Sequence, residues 1–176
     1  MKKRLTIIQM DVHVNDIEYN YTRVQELLSQ SLSERPDIIV LPETWNTGFY
    51  PSKELINIAD RNGERTKSLL STFAKEHNVN IVGGSVAVAK NDVVFNTSYA
   101  YNREGTLVGE YSKMHGFSPA KEDQYFAGGT HTTHFELDGI PCSTVICYDI
   151  RFPELVRMAA LPNTELLFVP AQWPTM

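Results

Sequence analysis

Three side chains of this sequence have the chemistry for acyl transfer, and each stands at the end of a strand pattern. Glu43 follows the apolar run Asp37–Leu41, Lys113 ends Thr106–Lys113, and Cys147 ends Ile140–Cys147 before a tight turn into a helix. A cysteine thiolate is the strongest common nucleophile, yet a free thiol is mostly protonated at neutral pH. A carboxylate in hydrogen-bond reach can take that proton, and burial raises a carboxylate's pKa and makes it a better base. A nearby ammonium favours the thiolate and can stabilise the oxyanion of a tetrahedral intermediate. The turn after Cys147 leaves the Tyr148 backbone N–H as a second oxyanion donor, the logic of a nucleophile elbow.

Such residues need rigid elements to aim them. Arg4–Met10 reads as a strand. Asn15 or Asp16 can cap a helix whose apolar side is Ile17, Tyr21, Val24, Leu27, Leu28 and Leu32. Asp37–Leu41 is a continuous apolar run, the pattern of a strand covered on both faces. Helical patterns follow over Lys53–Ala59 and Glu64–His77, the second with Leu69, Leu70, Phe73 and Ala74 inward. Asn80–Val88 reads as one strand with Gly83-Gly84 inside it, the mark of a bulge or a close backbone approach. Val93–Tyr101 and Thr106–Lys113 form a hairpin, His115–Thr130 a long loop, and Thr132–Leu137 and Ile140–Cys147 a second hairpin. Pro153 opens a helix, and Glu165–Val169 is the last strand. Alternating helices and strands with inserted hairpins predict a layered α/β fold. The final strand has only seven residues after it, which leaves little to cover it.

Three segments carry a family resemblance. Leu41-Pro42-Glu43-Thr44-Trp45, Tyr111-Ser112-Lys113-Met114-His115 and Ile146-Cys147-Tyr148-Asp149-Ile150-Arg151-Phe152-Pro153-Glu154 resemble the signature segments of the nitrilase superfamily, the carbon–nitrogen hydrolases. Their order and spacing match, with 70 residues from Glu43 to Lys113 and 34 from Lys113 to Cys147. The resemblance implies an α-β-β-α sandwich, usually paired into a homodimer. It also implies Glu43 as general base, Lys113 as transition-state stabiliser and Cys147 as nucleophile. Glu122, in the segment Lys121–Gly128, matches a second glutamate that lines the family's site and would hold Lys113 or help move protons. Trp45-Asn46-Thr47-Gly48-Phe49 and Ala171-Gln172-Trp173-Pro174 resemble the ω-amidase-like branch, which hydrolyses the terminal amide of small dicarboxylate monoamides. Nitrile or N-carbamoyl hydrolysis is the alternative within the superfamily, and a catalytically silent binding or assembly subunit is the alternative outside catalysis. No metal or organic cofactor is implied. Trp45 and Tyr148 are candidate substrate-binding residues, with simple packing as their alternative.

Composition agrees with this class. The chain has 176 residues and reads as a single domain over 1–176; because family members run longer, the resemblance implies a sandwich whose C-terminal portion is missing from it. A formal charge of −5 disfavours nucleic acid as a partner. Met1-Lys2-Lys3-Arg4 mimics a signal peptide's start, but Leu5–Met10 is too short and polar for secretion, and no window suits a membrane helix. A reducing, cytoplasmic location is therefore expected. Cys142 and Cys147, five apart along one strand, would face opposite ways, which argues against a thiol redox pair. His115 near Lys113 suggests a cysteine–histidine pair, but no partner motif accompanies it. His131 and His134 read as polar hairpin residues rather than metal ligands. Asp149, Arg151 and Glu154 are expected to form an ion-pair network around the turn.

Overall fold

The computed structural model describes residues 2–49, 51–161 and 163–173. Its first sheet holds β1 (Leu5–Ile7), β2 (Ile38–Val40), β3 (Asp60–Arg61), β4 (Asn80–Val82), β5 (Val86–Lys90), β6 (Val93–Tyr101) and β7 (Leu107–Ser112). The second holds β8 (His134–Leu137), β9 (Ile140–Thr144) and β10 (Leu166–Phe168). Four helices accompany them: α1 (Ile17–Ser31), α2 (Leu55–Ile58), α3 (Glu64–His77) and α4 (Pro153–Ala160).

Side-chain alternation along β2 shows why the layers stack. Ile39 turns toward the helices, joining Tyr21, Val24 and Leu28 of α1 and Leu70, Phe73 and Ala74 of α3. Its neighbours Ile38 and Val40 turn the other way and pack with Val82 and Ala100 against Phe135, Leu137, Cys142 and Phe168 of the second sheet. Beyond that sheet, Leu155 and Ala159 of α4 cover Val145, Leu167 and Val169. The order is helix, sheet, sheet, helix, as expected. Fully buried Leu28 and Leu70 each add about 1.5–3 kcal/mol of hydrophobic stabilisation.

Local signals hold well. Asp16 caps α1, its carboxylate accepting from the Tyr19 N–H. Both Gly63 and Asn78, flanking α3, adopt left-handed backbone. Proline occupies the first turn of α4.

Two expectations are corrected. Asn80–Val88 is not one bulged strand but two, β4 and β5, divided at Gly83-Gly84-Ser85. Both pair with the same edge of β6, Val82 opposite Ala100 and Val86 opposite Thr97, while β7 takes the other edge. The last strand is also better covered than its place in the chain suggests. β10 pairs in parallel with β9, buries Phe168 between the sheets and lays Leu167 under α4. Among the described residues its outer edge stays open, and Leu166 and Leu167 remain partly exposed.

Candidate active site

The break between β4 and β5 positions Glu43. Gly84 has a φ of +62°, and a Cβ there would lie 2.0 Å from the Pro42 carbonyl oxygen, so only glycine lets the end of β2 pass this close. Ser85 then grips the passing chain: its N–H donates to Pro42 O, its hydroxyl accepts from Thr44 N and its carbonyl from Trp45 N. Glu43 is left 1% exposed, facing inward.

Lys113 follows β7. Its N–H donates to Asn96 O on β6 and its carbonyl accepts from Gly129 N, which extends the ladder by one residue and fixes the side chain's origin. The ammonium, 3% exposed, donates to Glu43 Oε1 at 2.8 Å and to Glu122 Oε1 and Oε2 at 3.0 and 2.8 Å. Glu122 opens a 3₁₀ turn within the long loop, is wholly buried and also accepts from Phe117 N at 2.7 Å. Burial disfavours the charge on Lys113, but Glu43 and Glu122 outweigh it and hold the lysine pKa above its ordinary value.

Cys147 comes from the second sheet. The β9 ladder ends at Thr144, so Cys147 does not end the strand but opens a 3₁₀ turn (Cys147–Arg151) with a φ of +46°. Non-glycine residues seldom adopt such a backbone, and an elbow that holds one is over-determined by its surroundings. Those surroundings are the Cys147 N–H to Pro170 O and a wholly buried Asp149. Asp149 Oδ1 accepts from the His115 N–H at 2.9 Å and pairs with His115 Nδ1 at 3.0 Å; Oδ2 accepts from the Tyr111 hydroxyl at 2.7 Å and the Ile146 N–H at 3.1 Å. The expected network is thus corrected: Asp149 binds Tyr111 and His115, while Arg151 and Glu154 are exposed. His115 is committed to Asp149 and stacks on Phe152, which leaves a cysteine–histidine pair without support.

Glu43, Lys113 and Cys147 open onto one cleft of about 140 Å³, walled by Phe49, Phe117, Tyr148 and Trp173. Burial first, and then the Glu43 charge, push the Cys147 thiol up to about 12, against the opposing pull of Lys113 and the Gln172 backbone. The expectation that lysine would favour the thiolate is therefore right in sign and too weak: the resting group is a thiol. A protonated sulfur beside a carboxylate can attack a carbonyl carbon only as its proton leaves, and an ammonium already in place can meet the charge that develops on oxygen. The Tyr148 amide donates to no acceptor among the described residues, so it is available for the same purpose.

Of the two candidate substrate-binding residues, Tyr148 lines the cleft and Trp45 does not. Trp45 is wholly buried in the helix-side core, edge-on to Tyr21, with its indole N–H donating to Gly83 O. It supports the glycine break rather than a substrate. Cys142 packs between the sheets, and His131 and His134 face solvent. Two polar contributors went unrecognised as site residues. The Asn96 side chain donates to both glutamates, and the Gln172 N–H donates to Glu43 Oε2 at 2.9 Å while Thr44 Oγ1 donates to Gln172 Oε1. For Gln172 the signal existed in Ala171-Gln172-Trp173-Pro174, whose Pro174 lies outside the described residues; for Asn96, one asparagine in a strand, there was none.

Known proteins resemble this chain over nearly its whole length. The 2-oxoglutaramate amidase of Bacillus subtilis is 40% identical over 174 residues, 99% of this chain and 66% of that protein. An omega-amidase of Danio rerio is 32% identical over 181 residues, 96% of this chain and 63% of that protein. Among solved structures, a CN-hydrolase superfamily protein from Xanthomonas campestris superposes with a TM-score of 0.85 at 28% identity, covering 98% of this chain and 66% of that one. The chain spans just under two thirds of the length of these relatives. A family model described as carbon-nitrogen hydrolase matches residues 4–176, nearly the whole chain, and with it the chain belongs to the carbon–nitrogen hydrolase family.

Proposed function

We propose that residues 1–176 act as a single carbon–nitrogen hydrolase domain that cleaves the C–N bond of a small amide through a cysteine thioester, releasing ammonia and a carboxylic acid. One observation carries this: the Lys113 ammonium bridges Glu43 and Glu122 on the cleft that also receives Cys147. In the proposed cycle Cys147 attacks the amide carbonyl as Glu43 takes the thiol proton. Lys113 and the Tyr148 N–H hold the oxyanion. Glu43 returns the proton to the departing nitrogen, the C–N bond breaks and ammonia leaves. Water then gives a proton to Glu43, adds to the thioester carbonyl, and the C–S bond breaks to free the acid and restore the thiol. Glu122 keeps Lys113 in place, Tyr148 bounds the acyl group, and no step calls on a cofactor.

An ω-amide of a small dicarboxylate is the proposed substrate class, in line with the names of the amidase relatives. The small, aromatic-walled cleft suits a short acyl chain. A cytoplasmic, homodimeric enzyme completes the proposal, resting on the family resemblance; among the described residues no helix is long and apolar enough to cross a membrane. Ammonia release from a panel of ω-amides, N-carbamoyl compounds and nitriles tests it, with intact-mass detection of a thioester adduct. Turnover of ω-amides, and its loss in a folded Cys147→Ala protein, is expected. Amide hydrolysis surviving in that variant would remove Cys147 from the chemistry, and preference for nitriles would reassign the substrate.

A further inference from the structure

Counting acceptor sites at the buried cluster separates its two carboxylates. Each carboxylate oxygen offers two lone-pair directions, four in all. At Glu122 all four are taken: Oε1 accepts from Lys113 Nζ and Asn96 Nδ2, and Oε2 from Lys113 Nζ and the Phe117 N–H. At Glu43 three are taken among the described residues. Oε1 accepts from Lys113 Nζ at 2.8 Å and Asn96 Nδ2 at 3.0 Å, whereas Oε2 accepts, among the described residues, only from the Gln172 N–H. Within that set one direction in the cluster stays vacant, and it belongs to Glu43 Oε2.

Asn96 makes this difference. It is 1% exposed on β6, and its Nδ2 fills the last site on both Oε1 atoms at once. Its own Oδ1 is buried without a partner among the described residues, so the amide is held for its donors at the cost of its acceptor. An aspartate of the same shape would provide no donor and would add a third carboxylate.

We propose that Asn96 is a positioning residue that saturates Glu122 and one oxygen of Glu43, so that the proton leaving Cys147 can go only to Glu43 Oε2. The proposal rests on the amide-hydrolase function above for the use of that proton, and on hydrogen-bond geometry for its destination. The S–H bond breaks, Oε2 gains the proton and the sulfur pair forms the C–S bond; the same proton later passes to the leaving nitrogen. Glu122, without a free lone pair, takes no part in proton transfer and serves as a fixed counter-charge.

The test is the pH dependence of kcat/KM for ammonia release by the wild-type, Asn96→Ala and Asn96→Asp proteins, with thermal stability measured alongside. Loss of a donor to an ionised carboxylate should move the acid limb up by about one pH unit in Asn96→Ala. The limb should move further in Asn96→Asp, and kcat should fall roughly tenfold or more with KM little changed. An acid limb that stays in place in both folded variants, with rates that follow stability alone, overturns the proposal. Nuclear magnetic resonance of the wild-type Asn96 side-chain amide provides a second readout that survives a folding failure. Both amide protons should be shifted downfield, as donors to two carboxylates; side-chain amide resonances at ordinary positions overturn the proposal as well. The two ideas fail separately. A wild-type protein that hydrolyses no amide refutes the proposed function while the amide resonance positions still judge Asn96. An active enzyme whose acid limb ignores Asn96 refutes only the present inference.

Discussion

Replacing Asp149 with asparagine should destabilise the elbow that carries Cys147, and the size of the effect follows from its four partners. Both oxygens of Asp149 are doubly occupied, Oδ1 by the backbone and ring of His115, Oδ2 by Tyr111 and the Ile146 N–H. An amide in the same place turns one oxygen into a donor. If the NH₂ replaces Oδ2, the Tyr111 hydroxyl can turn and accept, but the Ile146 N–H is orphaned. If it replaces Oδ1, the imidazole can switch tautomer, but the His115 N–H is orphaned. Either orientation strands one backbone donor and weakens the remaining bonds from charge-assisted to neutral, for a loss of about 2–4 kcal/mol. For a domain of this size that lowers Tm by roughly 4–16 °C. Differential scanning calorimetry of Asp149→Asn against Arg151→Ala and Glu154→Ala measures it, since those exposed neighbours should each stay within about 0.5 kcal/mol of the parent. A Tm for Asp149→Asn inside the range of these controls would refute the assignment of Asp149 as the anchor of the turn.

Three further predictions concern the proposed nucleophile and base. Alkylation of Cys147 by iodoacetamide, followed by intact mass, should keep accelerating beyond about pH 10, because burial and Glu43 hold the thiol proton up to about 12; a plateau near pH 9 would contradict this. A thiol pKa raised on folding contributes stability that is complete below the unfolded value of 9.0 and fades as pH climbs toward 12, so Cys147→Ala should lose less Tm on the alkaline side than the parent. Gly84→Ala places a methyl group 2.0 Å from Pro42 O at a positive φ, and should cost at least about 2 kcal/mol in urea denaturation. Ammonia release should drop along with it, since the strained segment leads directly into Glu43; unaltered stability would show that the break between β4 and β5 tolerates a side chain.

Local signals in the sequence carried much of this fold. Helix α3 spans the expected Glu64–His77 and β6 the expected Val93–Tyr101, because a 3.6-residue apolar stripe and a β-branched, aromatic run each bury themselves in only one way. The family resemblance implies that Glu43, Lys113 and Cys147 meet; in the structure Lys113 joins Glu43 to Glu122, and Glu43, Lys113 and Cys147 line one cleft. What stayed hidden depended on long-range pairing. Asn96 reaches glutamates 53 and 26 residues away, a relation set by which strands share the sheet rather than by its own neighbours. Asp149 was matched with nearby charges, yet it binds Tyr111 and His115, 38 and 34 residues back. Trp45 beside Glu43 suited either a pocket wall or a core, and the decision fell to the Gly83 carbonyl, which takes its indole proton.

The two halves of the proposed chemistry ride on different sheets. The carboxylate and ammonium extend from β2 and β7 in one, and the sulfur follows β9 in the other, with the Gln172–Glu43 and Gln172–Thr44 contacts acting as the latch between them. In the proposed cycle reactivity is therefore a gauge of interlayer alignment: a slip of about 1 Å between the layers, too slight to register in circular dichroism, should slow turnover on the order of a hundredfold. Warming should accordingly silence the protein before it melts it.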